Sequence, residues 1–299
     1  MNAKGITLND EFGILDQLTF RDHGDGFIVI DINNSHCTAS IALQGAHLMD
    51  WTPKGQQPVI WMSPVATLAQ GKSIRGGVPI CWPWFGPHSS NASFSGHGFA
   101  RTVAWDVTAT AALDDGSTEV SFKIADIKPE QWSEQAPAEI RMTIGSTLEI
   151  ELMTENQRKE AITVGDALHT YFHVSDASKL SIKGLDHCDY LDKVDEGKRK
   201  TQQGDVTIGS EVDRVYFDHG EDVIIEDPGL KRSIRIEKCN SHSTIIWNPW
   251  IDKCLKMGDF GKDDGYLGMV CVESANASED EVEIAAGASH RLWVRYSIE

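Results

Sequence analysis

An all-β fold, a large antiparallel β-sandwich, is predicted by three features of this 299-residue sequence. Apolar residues recur with period two over strand-length segments, sustained helical periodicity is nearly absent, and turn residues separate the segments. Taken in order, Asp10 to Leu18 has room for two helical turns, and Phe27 to Ile32 runs apolar over the length of a strand. Residues 75–101 hold five glycines and three prolines, which set an irregular path instead of a regular element. Thr118 to Ile124 alternates as a strand, and Pro129 to Gln135 is read as a single helical turn. Glu139 to Met153 reads as a hairpin turning at Gly145-Ser146. Asp166 to His173 is a strand, whereas the charged, glycine-containing stretch Lys193 to Thr201 reads as a solvated loop. Strands follow at Glu211 to Tyr216, Ser233 to Glu237 and Thr244 to Trp250, the last ending in an aromatic turn. Met269 to Ser274 is an apolar run, and Arg291 to Ile298 closes the chain. With no composition break, linker or internal repeat, one domain over 1–299 is expected.

Twenty-seven Lys and Arg against 45 Asp and Glu leave a formal charge of -18. Nucleic acid and anionic membranes demand clustered cations, so neither is an expected partner. A small anion remains admissible if a local cationic pocket overcomes the general field. No apolar stretch approaches the roughly 20 residues of a spanning helix. The first residues lack the apolar segment of a secretory signal. Six scattered cysteines without a Cys-x-x-Cys pair read as thiols in a reducing compartment. A cytoplasmic location is expected.

Chemistry concentrates in three segments. Arg75-Gly-Gly-Val-Pro-Ile-Cys-Trp-Pro-Trp-Phe-Gly-Pro-His88 and His97-Gly-Phe-Ala-Arg101 combine guanidinium forks, which match phosphate or carboxylate oxygens, with flat aromatic faces. That pairing suits a phosphorylated sugar, while the plainer reading is a surface loop with trapped aromatics. In Asp166 to His173, strand alternation points His169, Tyr171 and His173 one way. Met269-Val-Cys-Val-Glu-Ser274 delivers Glu273 at the end of an apolar run, where a carboxylate is paired, exposed at the rim, or desolvated with a raised pKa. Taken alone, His169 is more often a hydrogen-bonded core histidine than a catalyst. A metal held by His169 and His173 is disfavoured, because i, i+4 residues on a strand lie too far apart for one ion. Asp213 sits either in a solvated pair with Arg214 or on the opposite strand face from it. Trp247 and Trp250 fit either the core or a sugar platform.

Together these segments resemble the hexose-6-phosphate mutarotases, also called glucose-6-phosphate 1-epimerases, of the aldose 1-epimerase superfamily. The resemblance runs from Gly45-Ala-His-Leu-Met-Asp-Trp51 through Ile74-Arg-Gly-Gly-Val-Pro79, His97-Gly-Phe-Ala-Arg101, Leu168-His-Thr-Tyr-Phe172, Val212-Asp-Arg-Val-Tyr216, Trp247-Asn-Pro-Trp250 and Val272-Glu-Ser274. It implies a β-sandwich of the galactose mutarotase type, interconversion of α and β anomers, and no metal or organic cofactor. It further implies His169 as catalytic acid and Glu273 as catalytic base, with Arg75, His97, Arg101 and Asp213 as substrate-binding positions. The expected ligand is a hexose 6-phosphate, glucose 6-phosphate foremost, handled by a monomer.

Anomer exchange asks for these residue types. A proton leaves the C1 hydroxyl, another reaches the ring oxygen, and the ring opens and recloses on the other face. An acid and a base on opposite sides of the ring are expected, each proton transfer contributing roughly 10²–10⁴-fold. Three alternatives stay open at this level. They are an epimerase of unphosphorylated sugars, a glycosidase (for which no clear second acid is visible), and a non-catalytic sugar-phosphate sensor.

Overall fold

Period-two burial governs nearly every element of the computed structural model, which describes residues 3–128, 130–134, 136–262 and 264–299. Thr118–Ile124 and Leu148–Glu155 bury every second residue, which is what a strand with one face on a core requires. Two eight-stranded antiparallel sheets result. One runs in the order 198–201, 189–192, 212–216, 243–248, 269–276, 166–168 and 80–81, with 171–173 also paired to 269–276. The other runs 181–183, 223–227, 232–239, 289–298, 148–155, 138–144, 118–124 and 105–112. A four-stranded sheet from Leu18–Asp22, Ile28–Asn33, Cys37–Ala42 and His47–Pro53 precedes both. One apolar cluster draws on all three, from Phe20 through Ile246 and Val270 to Val294 and Tyr296. The architecture is the expected β-sandwich.

The hairpin of Ala138–Ile144 with Leu148–Glu155 turns where expected, at Gly145 to Thr147. Other expectations need correction. The N-terminal helix spans Ala3–Phe12, earlier than read from the sequence. It stops because Ile14 pairs with Leu18 around a tight turn, with Asp16 at φ 59°, and a strand begins at Leu18. The Asn9 side chain bonds both backbone groups of Phe20 at 2.7 and 2.8 Å, fastening the helix to that strand. Pro129 and Gln135, the ends of the second expected helical turn, lie outside the described residues, and 130–134 contains turns but no helix. Lys193 to Thr201 is not a plain loop. It forms a 3₁₀ turn over Lys193–Asp195 and an edge strand over Lys198–Thr201. Its alternation is invisible because an edge strand of lysines and arginines keeps both faces polar.

Residues 75–101 are held by their aromatic side chains. Trp82 is fully buried and its indole donates to Thr154 Oγ1 at 2.9 Å, tying the irregular segment to the second sheet. Gly98 is obligatory: at φ 70° a Cβ there would lie 1.9 Å from the Trp82 carbonyl oxygen. Among the described residues, no helix is long and apolar enough to cross a membrane.

Candidate active site

Ladder register decides which side chains meet. Asp213 pairs with Trp247, Ile245 with Glu273, and Trp247 with Cys271, so odd-numbered residues of three adjacent strands share one face. Even-numbered Ile246, Val270 and Val272 enter the inter-sheet core. Ile245, Trp247 and Cys271 instead join a second apolar cluster with Trp61, Tyr171 and Phe260. This face carries a cavity of about 420 Å³ whose wall includes Arg75, His97, Arg101, His169, Asp213 and Glu273. All six residues singled out from the sequence therefore converge. A larger hollow, about 600 Å³, lies around Asp227 and Arg232 and contains none of the six.

His169 sits in a break of its strand. Asp166–Leu168 and Tyr171–His173 both pair with Met269–Asn276, but His169 and Thr170 leave the ladder between them. The His169 N–H donates to the Pro79 carbonyl at 3.0 Å, and the Thr170 hydroxyl bonds Tyr296 Oη across the sandwich at 2.6 Å. Its imidazole lies stacked on Tyr171, 5.0 Å between centroids at 12°. His173, expected on the same side, lies instead near Arg232 and Asp227. Glu273 does not end its strand, which continues to Asn276. The carboxyl is thus interior, with 1% of the side chain exposed.

His169 Nε2 and Glu273 Oε1 are 3.4 Å apart. They stand side by side instead of flanking a ring-sized gap. Burial drives both toward neutrality: it lowers His169 well below the ordinary imidazole value and raises Glu273 well above the carboxylate value, with Asp213 adding to the second shift. Donor atoms of His169, Cys271 and Glu273 lie within 4.8 Å of one another, but burial pushes the Cys271 thiol up, away from the thiolate that a metal would need.

The Arg-Gly-Gly turn brings in Arg75. Gly77 adopts φ 71°, and a Cβ there would meet His47 Nε2 at 2.3 Å; that nitrogen also bonds the Gly76 carbonyl at 2.9 Å. Arg75 Nε bonds Asp259 at 2.9 Å, Nη1 donates to the Tyr171 hydroxyl at 2.7 Å, and the guanidinium covers the Phe260 ring. Arg101 reaches only a carbonyl, that of Gly96, at 2.9 Å. His97 receives the Gly86 N–H on Nδ1 at 3.3 Å, and burial aided by Arg101 lowers its pKa to about 4. Asp213 is raised by burial and lies 3.7 Å from Lys253 Nζ. Arg214 points to the other face, over Tyr190 and bonded to Gln202, so the solvated Asp213–Arg214 pair does not form. Asp213, expected from the sequence as a substrate-binding position, is thus a second carboxylate of the cavity beside Glu273.

Trp247 is resolved as cavity wall, edge-on to His169. Trp250 packs on Tyr266 and opens a helix, Trp250–Met257, from which Lys253 and Met257 line the cavity one turn apart. Sequence reasoning missed Tyr171 as a site residue, although strand alternation with His169 pointed to it. It also missed Lys193 and Lys253, for which no local signal exists.

The aldose 1-epimerase family profile matches residues 29–297. A protein of Escherichia coli strain K12 named "Putative glucose-6-phosphate 1-epimerase" is 35% identical over 260 residues, covering 86% of either chain. A protein of Cenchrus ciliaris with the same name is 32% identical over 267 residues, covering 86% of this chain and 80% of its own. The crystal structure titled a "putative mutarotase (YeaD)" from Salmonella typhimurium superposes with a TM-score of 0.87 at 32% identity, over 96% of this chain and 95% of that one.

Proposed function

The chain belongs to the aldose 1-epimerase family, and from that premise we propose that it acts on a hexose 6-phosphate, glucose 6-phosphate foremost. The reaction is interconversion of α and β anomers. The observation that carries the site assignment is the 3.4 Å approach of His169 to Glu273 in a cavity of sugar size. The C1 hydroxyl and the ring oxygen are both bonded to C1, only two bonds apart. An acid and a base side by side therefore serve both atoms, and no flanking arrangement is needed. In the forward step Glu273 takes the C1 hydroxyl proton while His169 gives one to the ring oxygen. The bond from C1 to the ring oxygen breaks and the open aldehyde forms. Rotation about C1–C2 and the reverse transfers then close the ring on the other face.

One proton shared by the pair is enough. The neutral pair (Glu273 protonated, His169 neutral) and the ion pair (Glu273 ionised, His169 protonated) differ only by a proton moved across 3.4 Å. The ion pair is the form that starts the reaction, and a polar ring oxygen beside it offsets part of its burial cost. Tyr171 orients the imidazole by stacking, and Trp247 offers the sugar an apolar face. Arg75 and Arg101 hold the phosphate, with His97 and Asp213 on sugar hydroxyls. Arg75 does so while also bound to Asp259 and Tyr171, whereas Arg101 has no carboxylate partner among the described residues. A monomer is part of the same proposal, as is a cytoplasmic location, for which six cysteines scattered without a Cys-x-x-Cys pair are the support.

The test is anomer exchange measured by a coupled assay on glucose 6-phosphate, glucose and galactose at fixed ionic strength. Preference for the phosphorylated sugar supports the reading. Equal or better turnover of the free sugars overturns the substrate assignment.

A further inference from the structure

Four cations line the cavity: Arg75, Arg101, Lys193 and Lys253. Two are neutralised locally. Arg75 is paired with Asp259, and Lys253 with Glu211 at 2.7 Å and Asp213 at 3.7 Å. The other two are not. Among the described residues Arg101 hydrogen-bonds only the Gly96 carbonyl, and the Lys193 ammonium forms no direct ion pair, feeling the Asp213 carboxylate only at longer range. A protein of net charge -18 that leaves two cavity cations without a direct ion pair has built a local exception to its own field.

We propose that Lys193 makes the site select a phosphorylated sugar, its ammonium taking the 6-phosphate together with Arg101. This rests on the anomer-exchange reading of the cavity and goes beyond it, since that reading assigns the phosphate to arginines alone. Depth orders the two ends of the ligand. Glu273 is at the closed floor, 1% exposed, while Lys193 is an exposed residue of the rim. In a pyranose that presents C1 to Glu273, C6 hangs from C5, the other carbon bonded to the ring oxygen, so a phosphate on that rotatable arm can extend from the floor toward the rim.

The turn that carries Lys193 is fixed. Asp192 Oδ1 accepts the N–H groups of Val194 and Asp195 at 3.1 and 3.3 Å, and its other oxygen binds Lys200 at 2.8 Å. His97 lines the same cavity, and the charges of both Arg101 and Lys193 act on it. Its Nδ1 is occupied by the Gly86 N–H, so in the neutral ring Nε2 carries the proton and donates. Arg101 and Lys193 thus offer two charged donors, which suit a phosphate and would be wasted on a neutral hydroxymethyl group, while His97 beside them donates to a sugar hydroxyl.

The experiment compares wild type, Lys193→Ala and Lys193→Arg. It reads kcat/KM for glucose 6-phosphate and for glucose, and the inhibition constant of inorganic phosphate, at low and high ionic strength. Lys193→Ala is expected to lower the ratio of kcat/KM for glucose 6-phosphate over glucose by about ten- to a hundredfold, the range of one charge-assisted hydrogen bond. The loss should sit mainly in KM and shrink at high salt. Phosphate inhibition should weaken in parallel, and Lys193→Arg should recover most of both. A ratio within about twofold of wild type overturns the inference while the substrate reading stands. So does an equal loss on both sugars. If wild type itself fails to prefer the phosphorylated sugar, the substrate reading fails and Lys193 loses its role with it.

Discussion

The Tyr171 hydroxyl accepts a 2.7 Å hydrogen bond from Arg75, and the same phenol ring lies parallel beneath His169. Arg75 therefore reaches His169, the proposed acid, through the ring it holds, in addition to any phosphate it binds. Arg101 has no such link to His169 by hydrogen bond among the described residues.

The two arginines should for this reason separate in kinetics. Arg101→Ala is expected to weaken handling of glucose 6-phosphate by about ten- to a hundredfold, with a much smaller effect on free glucose. Arg75→Ala should lower turnover of both sugars, because Tyr171 is released as well. Steady-state kinetics on the two substrates distinguish the cases. Loss confined to the phosphorylated sugar in Arg75→Ala would show that its tie to Tyr171 is catalytically idle.

His169 and Glu273 lie 3.4 Å apart and share one proton in the proposed mechanism, so they should behave as one unit. His169→Ala and Glu273→Gln are each expected to cost at least about 10²-fold in kcat. The double variant should be little worse than either single one. Near wild-type turnover in either single variant, with the fold intact by circular dichroism, would remove that residue from the mechanism.

The pH profile of kcat follows from the directions of the two shifts. The productive pair holds one proton. Acid adds a second only below the lowered His169 pKa, and base removes the first only above the raised Glu273 pKa. A broad plateau across neutrality is expected, its acidic limb below the ordinary imidazole range and its alkaline limb above the ordinary carboxylate range. Measured kcat, corrected for spontaneous exchange, should show it. A single sharp limb near the ordinary histidine pKa would contradict the buried assignment of His169.

Asp166 predicts a stability effect separate from catalysis. Burial, with the charge of Asp280 adding, pushes its carboxyl up to about 8. Between roughly pH 4 and 8 the unfolded chain has released this proton while the folded protein keeps it, so stability falls as pH rises through that window. Asp166→Asn removes the titration without changing size. It should gain thermal stability relative to wild type as pH rises from 5 to 8.5, by a few kcal/mol at most. A difference in melting temperature that stays constant with pH would mean that Asp166 ionises normally.

Local alternation made the sandwich legible: Thr118–Ile124 and the hairpin around Gly145 could be read because one side chain in two must meet a core. The family motifs likewise carried His169, Glu273, Arg75, His97, Arg101 and Asp213 by residue type and order, and all six line one cavity. Where local patterning was weak, the reading slipped. The first helix lies earlier than the local pattern suggests, and the edge strand Lys198–Thr201 resembles a loop because polar residues occupy both its faces. What the sequence alone determined was thus the period of the strands and the identity of the reactive groups. The tertiary structure decided their company: that Arg75 meets Asp259, that Glu273 is buried within its strand, and that Lys193 stands at the rim without a direct ion pair among the described residues. Those outcomes depend on sheet register and on contacts between residues far apart in the chain, and neither leaves a periodic trace in the residues themselves.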